Sequence, residues 1–473
     1  MQDRNTNLDS KLGCILTVSK YYLFHFSESA HPLLIAFSVI TNGRKLFTIS
    51  RDTRQISCLH GIRVLSTVWV IIGHRYQTQL SFPVKNMLYL KEWMDGEWSM
   101  FIKGGTLSVD TFFLLSGLTI SYVYMQAAVK KVKFNILLFY LHRYLRLTPL
   151  LAVVVISYIT ILQHLGSGPL WPNAIRGMQS GCKENWWKAL LYIQNFGNLE
   201  MCISQSWYLS VDTQLYILSP ILLIPLLKWP GIVLSLTGLL GICSILSCFL
   251  TTWFFEFNLS MGGNTDPEAL TDYMRYYYFA TYTRSAPWLI GILLGYILFQ
   301  VKFKGRIVIN KVLVSLLWIA SFAILITCLY AGYTLNSREY NKISVASHLA
   351  FERPIWAVAV GWIIFACVTG YGDPVNWFLS LPVFQVVSKF TYALYLVHLA
   401  VIYITTAQMR TVPFVSDARE MYIFWGDFAL TFAVSVVVTL AFESPIIIIE
   451  KWLLDPRQKK ASAIEVDRKS NEA

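Results

Sequence analysis

About ten runs of roughly 20 predominantly apolar residues recur along this chain of 473 residues, each bounded by polar or basic clusters. A helix of that length matches the hydrocarbon core of a bilayer, where backbone polar groups must be satisfied internally. The composition agrees, because only 14% of the residues are charged, compared with about 25% in soluble proteins. The sequence therefore predicts an all-α, polytopic transmembrane helix bundle with about ten spanning helices. The predicted spans are 62–80, 105–127, 135–164, 206–227, 231–253, 284–301, 310–333, 354–371, 384–407 and 421–442.

The distribution of basic residues between these spans predicts the orientation. The net charge is +12, but the Lys and Arg residues lie in short clusters rather than in one patch. The positive-inside rule accounts for that pattern, so no nucleic-acid partner is expected. With a cytosolic N-terminus, the basic clusters at 130–133 and 302–306 lie inside, and the acidic loop 254–283 lies outside. We therefore expect a multi-pass protein of the plasma membrane or an endomembrane, with both termini cytosolic.

Three regions are expected along the chain. Residues 1–55 form a cytosolic or interfacial leader without a convincing signal peptide, and residues 56–455 form the transmembrane core. Residues 456–473 are polar and are expected to be a disordered cytosolic tail. Cys182 and Cys202 fall in one outside loop, where an oxidising compartment would allow them to form a disulfide. The sequence does not determine the oligomeric state.

The strongest functional signal is the pair Arg63 and His74 in the first span. At about 100° per residue, eleven helical steps bring His74 to within roughly 20° of the face of Arg63, roughly 16 Å further along the axis. An ionisable group at that depth is costly and usually marks a site of reaction or transport.

Further polar side chains lie inside other spans. Asp110 could orient a histidine ring, as carboxylates do in acid–base pairs. Asp212, together with Ser210, favours a hydrated cavity. His398 is a second midmembrane histidine, and a single buried histidine is more often structural than catalytic. Two such histidines in a bundle that also carries aspartates favour catalysis.

Several motifs have a structural and a functional interpretation. Arg143 and Arg146 share one helix face near the cytosolic boundary, either as snorkelling anchors or as a phosphate clamp. Arg284 precedes Pro287 at the start of the sixth span, where interfacial anchoring is at least as good an explanation as function. The remaining motif residues are Ser116 and Gly117, which are typical of close helix packing, and Glu443, which would ordinarily pair with a basic residue.

Taken in order, these segments resemble the acyltransferase type 3 family of integral membrane acyltransferases. The hallmark of that family is an arginine and a histidine separated by ten residues in the first helix, as at Arg63 and His74. Segments 42–47, 56–63 and 182–202 are similar to the animal nose-resistant-to-fluoxetine branch, whose N-terminal cysteine-rich domain we expect this chain to lack. The other matching motifs are Ser-Val-Asp-Thr-Phe-Phe-Leu-Leu-Ser-Gly at 108–117, His-Arg-Tyr-Leu-Arg-Leu-Thr-Pro at 142–149, Ser-Trp-Tyr-Leu-Ser-Val-Asp at 206–212, Tyr-Ala-Leu-Tyr-Leu-Val-His at 392–398 and Glu443-Ser-Pro.

The sequence departs from the family at two of these motifs. Bacterial members usually have glutamate at the position of Asp212 and arginine at the position of His142. Both differences would alter contacts to the acyl donor.

The resemblance implies an enzyme that moves an acyl group from a cytosolic acyl-CoA to a hydroxyl of a lipid or glycan. In that interpretation acyl-CoA is a co-substrate, membrane lipids are the partners, and no bound cofactor or metal is expected. The implied roles are general base for His74; further catalytic residues at Asp110, Asp212 and His398; donor binding by Arg63, Arg143 and Arg146; and other motif positions at Ser116, Gly117, Ser210 and Glu443. The alternatives are a non-enzymatic lipid or xenobiotic transporter, or a catalytically idle receptor.

Overall fold

The computed structural model describes residues 35–49, 55–197, 200–257, 266–305, 308–336 and 340–454. Across these ranges the chain forms helices and no β-strand, which confirms the all-α prediction. The predicted tail at 456–473 and most of the predicted leader at 1–55 lie outside the described residues.

The α-helices of the described residues follow one another closely. They are α1 (Val39–Phe47), α2 (Cys58–Leu80), α3 (Met87–Asp95), α4 (Ser99–Lys103), α5 (Leu107–Val129), α6 (Ile136–Thr160), α7 (Trp171–Leu190), α8 (Trp207–Leu226), α9 (Pro230–Phe255), α10 (Pro267–Asp272), α11 (Thr281–Lys304), α12 (Lys311–Asn336), α13 (Lys342–Thr369), α14 (Asp373–Leu379), α15 (Pro382–Val387), α16 (Thr391–Ala407), α17 (Asp417–Val438) and α18 (Ser444–Leu454). Two π-helical segments, Tyr273–Tyr278 and Thr439–Glu443, precede α11 and α18.

Among the described residues, eight helical stretches are long and apolar enough to cross a membrane. Each coincides with one of the predicted spans, so the multi-pass membrane character is confirmed but the count of ten is not. The eight are Ser99–Val129, Ile136–Thr160, Ser204–Leu226, Pro230–Phe255, Pro267–Phe303, Lys311–Leu335, Lys342–Thr369 and Asp417–Leu454.

The other two predicted spans, 62–80 and 384–407, form helices of a different kind. The first is α2, which has 23 residues but carries buried polar side chains and does not reach the required hydropathy. The second is divided into α15 and α16, and α16 has only 17 residues, most of them buried. A helix enclosed by other helices does not need an apolar surface all round. Its mean hydropathy therefore underestimates its ability to span a membrane.

Contacts divide the chain into two compact units. The larger comprises residues 49–141 and 151–436 and contains most of the helices. The described residues of the smaller unit are 35–48, 142–150 and 437–454. In the smaller unit, His142 Nδ1 hydrogen-bonds to Glu450 Oε1, and Thr439 Oγ1 donates to Glu443 Oε2 at 3.2 Å.

Glycines bring α5 and α11 into close contact in the larger unit. A Cβ atom on Gly117 would lie 2.1 Å from the carbonyl oxygen of Trp288. A Cβ atom on Gly291 would lie 2.3 Å from the carbonyl oxygen of Leu114. These glycines therefore let the two backbones approach, as small residues do between membrane helices. The structure thus places Gly117 in a helix-packing role.

Gly117→Ala is expected to force α5 and α11 apart and to destabilise the protein by about 1–3 kcal/mol, the usual range for overpacking. The matched control is Gly238→Ala in α9, because a Cβ there would meet nothing within 4 Å. Thermal denaturation of the purified variants in detergent measures the difference. Equal midpoints for the two variants would contradict the close-packing account.

Candidate active site

The helix α2 carries both residues of the strongest sequence signal. It is continuous from Cys58 to Leu80, so the eleven-residue separation of Arg63 and His74 is helical throughout. Both side chains are half-buried. At about 1.5 Å per residue, a separation of eleven residues in a continuous helix corresponds to roughly 16 Å along the axis.

The second midmembrane histidine, His398 of α16, lies directly against His74. Nδ1 of His74 is 2.8 Å from Nε2 of His398, and the two rings stack with their centroids 5.0 Å apart. His398 is fully buried, whereas His74 is half-buried. The fold therefore joins two residues that are 324 positions apart in the sequence.

A backbone carbonyl sets the proton positions in this histidine pair. Nδ1 of His398 lies 3.2 Å from the carbonyl oxygen of Leu394, which can only accept a hydrogen bond. The neutral His398 ring therefore carries its proton on Nδ1 and presents an unprotonated Nε2 to His74. Nδ1 of His74 donates to that nitrogen, so Nε2 of His74 is unprotonated and available as a base.

The position of α16 depends on polar and apolar contacts. Gln205 Nε2 donates to the carbonyl oxygen of Leu396 at 3.0 Å, and Tyr395 Oη donates to the carbonyl oxygen of Gln205 at 2.7 Å. Further along α16, Ile402 packs with Ile71 of α2 in a cluster that also contains Phe424 of α17. These contacts hold α16 at the height where His398 meets His74.

Asp110 was expected to orient a histidine ring, and the structure corrects that expectation. Its Oδ2 atom accepts a hydrogen bond from Nη1 of Arg284 at 2.7 Å and lies 4.0 Å from Nε of Arg353. All three side chains are almost fully buried. The carboxylate pairs with guanidinium groups because two buried arginines need a counter-charge more than a neutral imidazole does. His398, and not Asp110, orients His74.

The position of Arg284 is also different from the interfacial position that the sequence suggested for it. It is 1% exposed, and its Nε atom donates to the carbonyl oxygen of Tyr278 at 2.9 Å. A proline-tryptophan pair follows it, as at many membrane interfaces, but the side chain turns inward to its carboxylate partner. An anchor in the headgroup layer would be exposed.

A buried ion network beside the histidine pair was missed in the sequence. Arg75, next to His74, is fully buried, and its Nε atom donates to Oε2 of Glu420 at 3.0 Å. Its Nη1 atom donates to Thr406 at 2.9 Å and lies 3.4 Å from Asp427 Oδ2. The network therefore connects α2, α16 and α17. The sequence did contain a signal, because Arg75 and Asp427 carry opposite charges inside predicted spans. It does not show, however, which charged residues pair with one another.

The other expected site residues of the larger unit are dispersed. Asp212 and Ser210 are buried in α8, at 5% and 1% exposure, and Ser116 is half-buried in α5 next to Gly117. Cys182 and Cys202 are joined in a disulfide that connects α7 to the segment before α8. In the part of the chain that the structure describes, the hydrogen bonds and ring contacts of His74 and His398 involve none of these residues.

The expected donor-binding arginines belong to different units. Arg63 is in the larger unit, whereas Arg143, half-buried, and Arg146, exposed, belong to the smaller one. In the smaller unit the charge of Arg146 acts on Glu443, which hydrogen-bonds to Thr439. A common clamp formed by the three arginines therefore stays a prediction.

A cavity of about 540 Å³ lies at the start of α2, within the larger unit. Its walls come from the ends of α2, α11, α13 and α14, and they include Ser57, Cys58, Lys302 and Asn376. Arg63 follows Cys58 on α2 by little more than one turn. His60, between them, hydrogen-bonds through Nδ1 to Ser388 at 2.7 Å. The described residues contain no group of three or more His, Cys, Asp or Glu side chains that could hold a metal.

Comparison with known proteins gives a family match and several relatives. The model of the acyltransferase 3 family, described as "Acyltransferase domain", matches residues 56–444. The chain is 29% identical over 472 residues to "Nose resistant to fluoxetine protein 6" of Caenorhabditis elegans, covering 90% of this chain and 55% of that protein. It is 27% identical over 365 residues to "Regulator of hypoxia-inducible factor 1" of the same organism, covering 72% of this chain and 68% of that protein.

A bacterial relative extends the comparison. A Staphylococcus aureus protein named "Putative O-acetyltransferase" is 24% identical over 418 residues, covering 85% of this chain and 59% of its own length. The chain thus spans little more than half of two of these three relatives. No solved structure matches it. The family match covers the motifs listed above from residue 56 onward, apart from the end of Glu443-Ser-Pro, and it leaves out segment 42–47. It confirms the resemblance: the chain belongs to the acyltransferase 3 family.

Proposed function

We propose that this protein is a membrane acyltransferase that moves an acyl group from acyl-CoA to a hydroxyl of a lipid or glycan. The observation that carries the proposal is the contact between Nδ1 of His74 and Nε2 of His398, together with the carbonyl of Leu394, from which we assign an unprotonated Nε2 to His74. A base of that kind is what an acceptor hydroxyl requires. The family match and the name of the bacterial relative support the same reaction class.

The reaction follows from the proton positions of the pair. Nε2 of His74 takes the proton of the acceptor hydroxyl while the hydroxyl oxygen attacks the thioester carbonyl carbon. The carbon–sulfur bond then breaks, the ester forms, and the leaving thiolate of coenzyme A receives the proton from His74. Throughout, Nδ1 of His74 donates to His398, which keeps the ring in place and stabilises the transient imidazolium.

The donor would enter from the end of the molecule where α2 begins. Arg63 would bind donor phosphates, since a guanidinium forms parallel hydrogen bonds with phosphate oxygens. The separation of roughly 16 Å between Arg63 and His74 suits a pantetheine arm that extends from phosphate to thioester. The cavity beside Cys58 and Lys302 supports an entry at this end.

The proposed function is tested with radiolabelled acetyl-CoA and the purified protein in lipid bilayers. Labelled ester in the lipid or glycan fraction is the expected result, and its sensitivity to mild alkali would identify an O-acyl bond. If labelled product never forms, while the protein still binds or moves lipids or xenobiotics, the enzyme proposal is wrong and the transporter alternative holds.

Arg63→Met is expected to raise the KM for acetyl-CoA at least tenfold, the effect of losing about 1.4 kcal/mol of binding, with a smaller change in kcat. Acetyl-pantetheine lacks the nucleotide phosphates, so the variant and the natural protein should use it equally well. Lys130→Met, at an exposed position on the predicted cytosolic side, is the control for a general loss of positive charge. Equal losses with both donors would show that Arg63 does not bind phosphate.

A further inference from the structure

A buried cluster of Asp110, Arg284 and Arg353 in the larger unit is not used by the proposed acyl transfer. Arg284 Nη1 is 2.7 Å from Asp110 Oδ2, and Arg353 Nε is 4.0 Å from the same oxygen. The three side chains are at most 5% exposed. One carboxylate thus lies between two guanidinium groups, which leaves an excess of one positive charge among these three residues.

Three charged atoms of this cluster have no hydrogen-bond partner among the described residues. They are Oδ1 of Asp110, Nη2 of Arg284 and Nη1 of Arg353. A buried charged group without a partner is costly, and intramembrane charges are normally paired. A further carboxylate, Glu352, lies 3.9 Å from His348 and close enough to act electrostatically on both arginines, but it accepts a hydrogen bond from neither of them. Two donors and one acceptor are therefore unsatisfied in one place.

Aromatic rings form the walls around these groups. The guanidinium carbon of Arg353 lies 4.0 Å from the ring centroid of Tyr277, and that of Arg284 lies 4.5 Å from the ring centroid of Tyr278. Trp207 lies on another side of Arg284, at 5.1 Å. These contacts enclose both guanidinium groups between aromatic rings and restrict how far they can turn.

The two tyrosines belong to the π-helical segment Tyr273–Tyr278. A π-helical turn is rare and is frequently found at functional sites. Here it places consecutive residues against two different arginines, each beneath its own guanidinium. Tyr278 and Glu352 border the cluster and are partly exposed, so the buried groups lie one side chain away from an accessible surface.

We propose that this cluster binds the phosphate group of a hydroxyl-bearing phospholipid headgroup or of a free glycerol phosphate. Each of the two unpartnered guanidinium groups offers a donor to a phosphate oxygen, and a phosphodiester would counter the positive charge of these three residues. The free oxygen of Asp110 requires a donor, which a headgroup hydroxyl adjacent to the phosphate supplies. The site therefore distinguishes phosphatidylglycerol from phosphatidylcholine, whose headgroup has no hydroxyl.

The test measures bound lipid by native mass spectrometry after the purified protein is equilibrated with phosphatidylglycerol or with phosphatidylcholine. We expect phosphatidylglycerol to remain bound and to raise the melting temperature, with phosphatidylcholine at least tenfold weaker. Free glycerol 3-phosphate is added in a separate arm. If glycerol 3-phosphate displaces the bound lipid, the site recognises the headgroup alone. If glycerol 3-phosphate binds but no lipid is retained, the natural ligand is the free glycerol phosphate and not the lipid.

The informative variant is Arg353→Lys, which keeps the buried charge but loses the free Nη1 donor. We expect it to fold and to bind phosphatidylglycerol at least tenfold more weakly. Lys342→Met is the matched control, because Lys342 also lies over an aromatic ring, Trp253 at 4.7 Å, and pairs with a carboxylate, Glu256 at 2.7 Å. The proposal is wrong if Arg353→Lys and the natural protein bind lipid equally well, or if neither lipid nor phosphate binds at all. In either case the cluster is only an internal ion pair. The readout is binding, so it does not depend on acyl transfer.

Discussion

Replacing His74 by alanine should reduce acyl transfer by about 10²–10⁴-fold, the contribution typical of a positioned general base. The loss should appear in kcat, because in the proposed mechanism the imidazole acts on the proton of the acceptor and not on the phosphates of the donor. The KM for acetyl-CoA should change little. Label transfer from acetyl-CoA, measured at saturating donor, gives the result directly.

Substitutions of His398 separate the chemical role of His74 from its packing. His398→Gln keeps an oxygen that can accept the hydrogen bond from Nδ1 of His74, whereas His398→Leu cannot. We therefore expect the glutamine variant to be the more active of the two at equal thermal stability. A His74→Ala protein with more than a tenth of the natural rate would exclude the imidazole as the base.

Replacing Arg75 by methionine is expected to have the largest effect on stability. It leaves Glu420 and Asp427 buried without the cation that contacts them at 3.0 and 3.4 Å. Removing one partner of a buried ion pair costs about 3–5 kcal/mol. The midpoint of thermal or denaturant unfolding in detergent should fall accordingly, and little folded protein should be recovered.

The matched control is Arg419→Met, because Arg419 contacts the same glutamate at 3.5 Å but is 35% exposed. Solvent screens that pair, so we expect the control to change stability by less than about 1 kcal/mol. Combining Arg75→Met with Glu420→Gln should restore part of the lost stability, because one buried negative charge is removed. Equal stability of the two arginine variants would be inconsistent with this network.

The helices could be predicted from the sequence where the chain faces an apolar environment. Eight of the predicted spans correspond to long apolar helices, because hydropathy reports the surface that a helix shows to lipid. The prediction was weakest for α2 and α16, which lie among other helices and carry Arg75, His74 and His398. The helices that hydropathy describes least well are therefore the ones that carry the candidate site.

The site was predictable only as a set of separate residues. Helical periodicity placed Arg63 and His74 on one helix, since their spacing is local. It could not pair His74 with His398 across 324 residues, nor assign Asp110 to Arg284 across 174. Several ionisable groups occur in the spans, and each had more than one possible partner. Choosing between those partners requires the three-dimensional packing of α2 against α16 and of α5 against α11.

The carbonyl of Leu394 has a consequence for catalysis in an apolar medium. Soluble hydrolases commonly orient the base with an ionised aspartate, which inside a bilayer would carry a permanent desolvation penalty. In the mechanism proposed above, the orienting partner is a neutral ring, and a main-chain atom, present whatever the side chain, sets its tautomer. The resting dyad thus bears no net charge and becomes ionic only for the lifetime of the proton transfer.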